Sequence, residues 1–337
     1  MDRKLASIRK ISDLSPIEEA DKIELATIDG WKVVVAKDVN HKVGDLVVYC
    51  EVDSFLPIRE EFEFLRKSSY KKMGDQEGFR LKTIRLRGQL SQGLILPIHI
   101  LPFGETFHEG QDVTEVLGIV KYEPPVPAEL AGKVKGLFPS FIRKTDEERV
   151  QNLAKEYQEY QVTSKHKFYV TEKLDGSSST FFLKDGVFGV CSRNLELLET
   201  EGNTFWKVAR ELNLEKLMSD VKFNICLQGE LIGEGIQGNP YKIKGQTVRF
   251  FNGFNIDTQE NISFLEFVEL VQKMGLKTVP ILDYDFLLPE TIDGMLEYAD
   301  NKSELNSNFD REGVVVRSYD RTVSFKAISN KFLLNEK

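Results

Sequence analysis

Lys173, Asp175, Arg193, Glu230, Glu312 and Lys326 are the side chains whose types and places in this sequence could act together on a phosphate. Three carboxylates suit Mg²⁺, held directly or through its waters, because that cation takes oxygen ligands and keeps much of its hydration shell. Two lysines and an arginine would neutralise phosphate charge. One lysine could also be a nucleophile, but only as the neutral amine. Its ordinary pKa of about 10.4 keeps it protonated at neutral pH unless burial or a nearby cation lowers it. Phosphoryl or nucleotidyl transfer is the chemistry such a set could do. Taken singly, each residue has a plainer reading: an exposed lysine before an Asp-Gly turn, strand-end charges at Arg193 and Glu230, an edge ion pair between Glu312 and Lys326.

The elements that must position them are short strands. "KFYVTEK" alternates, with Phe168, Val170 and Glu172 on one face and Tyr169, Thr171 and Lys173 on the other. Residues 177–183 read as a second strand, Lys184-Asp185-Gly186 as a tight turn and "VFGVCSRN" as a third strand. A meander in one sheet would put Lys173 on the same rim as Arg193 and Asn194. "FNICLQGELIGEG" reads as a strand carrying Glu230, and "RFFNGFNI" as a Phe-rich strand. "DREGVVVRSYDRTVSFKAIS" is a hairpin turning near residues 319–321, which returns Lys326 to within a few residues of Glu312. Helices are expected near "PSFIRKTDEERVQNLAKEY", "NTFWKVARELNLEKL" and "ISFLEFVELVQKMG". Residues 1–120 read instead as many short strands broken by turns, the pattern of a small antiparallel barrel. The proline-rich stretch at 121–136 reads as a linker, and 137–337 as a second domain. The expected class is α+β.

At 337 residues the chain can bury two cores. A net charge of −8 argues against a protein that coats nucleic acid indiscriminately, while leaving room for a local basic site. No apolar stretch is long enough for a membrane span, and the N-terminus lacks a signal-peptide core. Cys50, Cys191 and Cys226 are odd in number and widely spaced, which favours reduced thiols in the cytoplasm or nucleus over secretion or a zinc site. A Walker-type phosphate loop fails its check: after Gly233 and Gly238 come Asn239-Pro240 where Lys-Ser/Thr is required.

In order and spacing, "KLDG" (173–176), "SRN" (192–194), "QGEL" (228–231), "GFNI" (253–256), "EGVVVR" (312–317) and "SFKA" (324–327) resemble the motifs of the covalent nucleotidyltransferase superfamily of RNA ligases, DNA ligases and mRNA-capping enzymes. Ser178 stands where DNA ligases and capping enzymes usually carry an arginine, and the barrel-like unit comes first rather than last. Both features resemble ATP-dependent RNA ligases of the Deinococcus and Naegleria type, with an N-terminal OB module and a C-terminal nucleotidyltransferase domain. Ile328 departs from the second lysine that many ligases carry two residues after the first.

The resemblance implies a lysyl-AMP mechanism with ATP and Mg²⁺ or Mn²⁺. Lys173 would be the nucleophile, and Asp175, Glu230 and Glu312 would orient the metal. Lys326 would contact the α-phosphate and Phe254 stack on adenine. Glu172 and Gly176 would border the nucleotide, Arg193 serve AMP or the acceptor 5′-phosphate, Asn194 the RNA and Arg149 the pyrophosphate. RNA is the implied partner, and the implied state is a monomer away from membranes. In the N-terminal unit "FRLKTIRLRG" supplies Arg80, Lys82, Arg85 and Arg87 without an acid between them, either a solvated strand or a surface that tracks an RNA backbone. The alternatives are a DNA ligase, a capping guanylyltransferase, or a non-catalytic RNA-binding protein on a ligase fold.

Overall fold

The structure is a computed structural model that describes residues 4–104, 106–123, 132–162 and 167–335. The chain divides into two units. One runs through Pro125 and takes in Val150–Tyr157; the other comprises Val126–Arg149 and Gln158–Asn335. Residues 124–131 of the expected linker lie outside the described residues.

The first unit is built from β1 (Ala6–Lys10), β2 (Asp13–Pro16), β3 (Ile23–Ile28), β4 (Trp31–Ala36), β5 (Leu46–Cys50), β6 (Ser54–Pro57), β7 (Tyr70–Met73), β8 (Gln76–Arg80), β9 (Thr83–Leu86), β10 (Gln89–Gln92), β11 (Leu94–Pro97) and β12 (Val120–Lys121). They pair in the orders β1-β5-β11, β2-β3-β4, β12-β6-β8-β7 and β10-β9. Period-two burial along β4, with Trp31, Val33 and Val35 inward, sets one core around Trp31 and Tyr49. A second core gathers Ile8, Leu56, Phe62 and Phe79. Asn152 explains why residues 150–157 belong here: its amide oxygen accepts from Trp31 Nε1 at 2.6 Å, and its amide nitrogen donates to Glu51 Oε1 at 2.7 Å.

The second unit holds β13 (Val134–Leu137), β14 (Glu148–Arg149), β15 (Phe168–Lys173), β16 (Ser177–Lys184), β17 (Val187–Cys191), β18 (Leu195–Leu197), β19 (Ile225–Gly233), β20 (Gln246–Asn255), β21 (Glu260–Asn261), β22 (Ile281–Phe286), β23 (Gly313–Ser318) and β24 (Ser324–Ile328). They form a seven-stranded sheet, β13-β18-β17-β16-β19-β20-β21, and a five-stranded sheet, β14-β24-β23-β15-β22. The helix Phe264–Lys273 turns Phe264, Phe267, Val268 and Val271 inward at the i, i+3, i+4, i+7 spacing of an amphipathic helix, into the core of Phe181, Leu227 and Phe250.

Three expectations need correction. The strand ending at Lys173 does not join the next two in a meander: β15 pairs with β22 and β23, and the chain crosses to the other sheet through Leu174–Gly176. The segment "PSFIRKTDEERVQNLAKEY" is α-helical only from Ala154, because β14 runs parallel to β24 and carries buried Arg149 with it. The helical pattern after residue 203 is also split at Asn213, whose φ of 53° breaks it into Thr204–Glu211 and Leu214–Ser219. A helix at Ile292–Ala299, N-capped by the Thr291 hydroxyl accepting from the Gly294 N–H, was not expected.

Candidate active site

Lys173 ends β15 directly opposite Gly313 of β23, so the preceding Glu312 lies beside it. Lys173 Nζ donates to Glu312 Oε1 at 2.5 Å, with both side chains half-buried. Desolvation pulls the Lys173 amine down, but Glu312, Glu230 and Asp175 together outweigh it and hold the amine above its ordinary value. Glu230 sits mid-β19 between Ser178 and Arg249. Burial, reinforced by Glu312 and Asp175 against the pull of Lys173, pushes its carboxyl up to about 8. Asp175 is held by its backbone N–H, which donates to the Tyr241 hydroxyl at 2.6 Å. Among the described residues no three His, Cys, Asp or Glu side chains converge closely enough to ligate a metal directly. The three carboxylates gathered around Lys173 are nonetheless a charge that a hydrated divalent cation would offset.

The hairpin β23–β24 places Lys326 opposite Val315, as its length requires, and Arg149 of β14 lies opposite Lys326 in the parallel pair. Burial, together with the charges of Arg149 and Lys173, pushes the Lys326 amine down to about 8. Lys326 donates to Asp146 Oδ1 at 2.9 Å, and the exposed Arg193 approaches Asp146 Oδ2 at 3.6 Å. Lys173, Glu230, Arg193 and Lys326 thus come together as expected, but from two sheets rather than one rim.

Gly176 and Gly229 are demanded by close approach. A Cβ on Gly176 would stand 2.5 Å from the Leu231 carbonyl oxygen and 2.9 Å from Glu230 Cγ; on Gly229 it would meet Val248 Cγ1 at 2.5 Å. Gly176 therefore lets the Asp175 turn lie against the Glu230 strand. Glu172, on the opposite face of β15 from Lys173, is 1% exposed. One of its carboxylate oxygens accepts from the Glu304 N–H, its own N–H donates to the Pro280 carbonyl, and burial pushes its carboxyl up.

Phe254 does not offer a platform for a base. It is 1% exposed and closed in among Ile142, Phe182, Cys191 and Cys226. The bulge in β20 opposite Gln228 and Gly229 shifts the alternation and turns Phe251 instead toward an apolar cluster of Leu174, Tyr241 and Val279, of which Leu174 directly follows Lys173 in the chain. Three phenylalanines within "RFFNGFNI" gave no means of locating that bulge from sequence. Asp146 and Tyr241 were also missed; they contact the site through polar side-chain interactions that carry no spacing signature.

Of the four basic residues proposed for the first unit, Arg80 is taken up by its own fold. It pairs with Asp53 at 3.4 Å, lies 4.4 Å over the Tyr122 ring and is mostly buried. Lys82 is half-buried. Arg85 and Arg87 are exposed on the β9–β10 ribbon, and Arg85 Nη1 donates to the Gly88 carbonyl at the turn. Asn194 accepts from Lys144 Nζ at 2.8 Å.

An OB-type barrel ahead of two sheets that surround a lysine with three carboxylates defines a nucleotidyltransferase of the polynucleotide-ligase class. An OB-fold domain model matches residues 5–98 and an RNA ligase model matches residues 166–329. The chain belongs to the RNA ligase family. It is similar to Naegleria gruberi RNA ligase with PPi, at 45% identity and a TM-score of 0.91, covering 98% of each chain. Variants of that ligase with ATP and Mn, and with AMP and Mn, match at 44% identity, a TM-score of 0.91 and the same coverage. Comparison with curated proteins gives no match.

Proposed function

We propose that the protein is an ATP-dependent ligase that seals 3′-OH and 5′-phosphate ends, as at nicks in RNA duplexes, through a lysyl-AMP intermediate. The observation that carries this reading is the Lys173 amine held against Glu312 beside Glu230 and Asp175, with Lys326 and Arg149 side by side on the same sheet. Lys173 attacks the α-phosphorus of ATP; an N–P bond forms, the bond to the bridging oxygen breaks and pyrophosphate leaves. Glu312 is the nearest acceptor for the amine's proton. Asp175, Glu230 and Glu312 would hold Mg²⁺ or Mn²⁺ through its waters, and the cation would supply charge that favours the neutral amine and offsets the phosphates. Lys326 steadies the α-phosphate, Arg149 the departing pyrophosphate, and Arg193 with Asn194 the incoming 5′-phosphate. Phe251 is the stacking platform for adenine, with Glu172 walling that side. AMP passes from Lys173 to the 5′-phosphate; the 3′-OH then attacks and AMP leaves.

The first unit engages RNA through Arg85, Arg87 and Lys82, with Arg80 bracing the strand that precedes them. Buried, unpaired thiols at Cys50, Cys191 and Cys226 support a reducing compartment, cytoplasmic or nuclear, and a monomer is the working state. None of the helices among the described residues is long and apolar enough to cross a membrane. A nicked RNA duplex with a 5′-phosphate, incubated with ATP and Mg²⁺, tests the reading. Sealing by the wild type and none by Lys173→Ala supports it; no sealing by a wild type that carries label from ATP would remove the nick as substrate.

A further inference from the structure

Next to Asp146, the second unit contains a cavity of about 160 Å³ whose charges do not balance. Arg143, Lys144, Arg317 and Arg321 line it against only Asp146 and Glu147, an excess of two positive charges in a chain of net charge −8. Both carboxylates are already engaged. Asp146 takes Lys326 and Arg193, while Glu147 Oε1 takes Arg317 Nε at 3.0 Å and Nη2 at 2.6 Å and its other oxygen takes the Ser324 hydroxyl. The remaining cations meet neutral acceptors: Lys144 the Asn194 amide, Arg321 the Tyr169 hydroxyl and the Asn252 amide.

Arg317 supplies the second observation. It is 4% exposed, and its Nη1 is buried and makes no well-formed hydrogen bond, with Tyr169 beside the guanidinium. A guanidinium with a buried donor to spare favours an oxyanion beside it, since an unmet charged donor is costly. Burial, with the neighbouring Arg317, holds Arg321 below its ordinary pKa even though Glu147 lies near both, so one carboxylate does not offset the pair. Planar guanidinium groups match phosphate oxygens in fork geometry. The cavity lies against Asp146, which already joins Lys326 to Arg193.

Resting on the ligase reading above, we propose that this cavity is a phosphate subsite in which Arg143, Arg321 and Arg317 Nη1 hold a second phosphate group while Lys326 holds the reacting one. That phosphate comes either from the pyrophosphate portion of the nucleotide or from the RNA strand. Two variants test the site: Arg321→Gln removes a cation, and Asn261→Asp puts a carboxylate into the exposed lining while keeping the oxygen that accepts from Asn252. Wild type and variants are titrated with inorganic pyrophosphate, and with a nicked RNA duplex bearing either a 5′-phosphate or a 5′-hydroxyl.

The proposal expects both variants to lose about tenfold in affinity in one arm, a single charge-assisted contact's worth. Loss for pyrophosphate assigns the phosphate to the nucleotide; loss for the RNA duplex assigns it to the strand. Affinities within about twofold of wild type in both arms, in variants that keep the wild-type melting temperature, would overturn it. Asn261→Asp decides alone if Arg321→Gln does not fold. The titrations need no turnover, so parallel labelling of the wild type by ATP separates failure of the subsite from failure of the ligase reading.

Discussion

Lys173 rests as an ammonium, because the carboxylates around it stabilise the charge more than burial opposes it. Burial, reinforced by Glu312 and Asp175, pushes the Glu230 carboxyl up to about 8, so at neutral pH it keeps a proton that a bound divalent cation would displace. Apparent Mg²⁺ affinity is therefore expected to climb between pH 6.5 and 8.5 and then level off, with the slope flattened in Glu230→Gln. Calorimetric titration at the two pH values checks this; equal affinities in the wild type would contradict it. The sign for metal-free stability is opposite. Between the ordinary 4.5 and about 8, folded Glu230 keeps a proton that the unfolded chain releases, so its contribution to stability falls as pH rises through that window. Lys326, lowered to about 8 from 10.5, works the other way only above pH 8. At this scale the sequence was informative about residue type: Lys173, Asp175, Glu230 and Glu312 lie together, and Lys326 and Arg193 meet at Asp146. It was uninformative about the stacking ring, since a one-residue bulge decides whether Phe251 or Phe254 is available.

At the scale of elements, the glycines and one buried ion pair do the positioning. Gly229→Ala drives a Cβ into Val248 and the Arg249 carbonyl, one residue before Glu230. A cost of about 1–3 kcal/mol is expected from such overpacking, measured by urea denaturation, together with loss of covalent labelling. Arg317→Ala leaves Glu147 buried and unpaired, and breaking a buried pair costs about 3–5 kcal/mol. A variant within about 1 kcal/mol of wild type would show that the pair does not secure the segment carrying Asp146 and Arg149. The terminal hairpin was legible because both arms are apolar around a polar turn, and turn position fixes register. Sheet membership was not. Alternation tells which residues share a face of a strand, but carries no information on which strand lies alongside, so β15 was assigned to the wrong sheet while its lysine still reached the right neighbours.

Across the whole molecule the proposed function assigns RNA contact to the first unit and covalent chemistry to the second. The β9–β10 ribbon exposes Arg85 and Arg87 beside exposed Ile84 and Leu86, so its tip is free to meet a nucleic-acid backbone. Neutralising both arginines is expected to weaken RNA binding and reduce its log–log salt dependence by about 1.5, with self-adenylylation intact. An unchanged slope would place the RNA contact elsewhere. The barrel and the ligase domain were readable from strand density and motif order. The membership of residues 150–157 in the first unit was not, because it depends on Asn152 bonding Trp31 and Glu51 more than 100 residues away in the chain.

The central claim is the covalent bond to Lys173, and labelling tests it most directly. Purified protein is incubated with Mg²⁺ and α-labelled ATP or GTP beside Lys173→Ala, then run on a denaturing gel. The account predicts an acid-labile label from ATP alone, absent from Lys173→Ala. Label from GTP, label that survives in Lys173→Ala, or no label in folded protein free of bound AMP would contradict it.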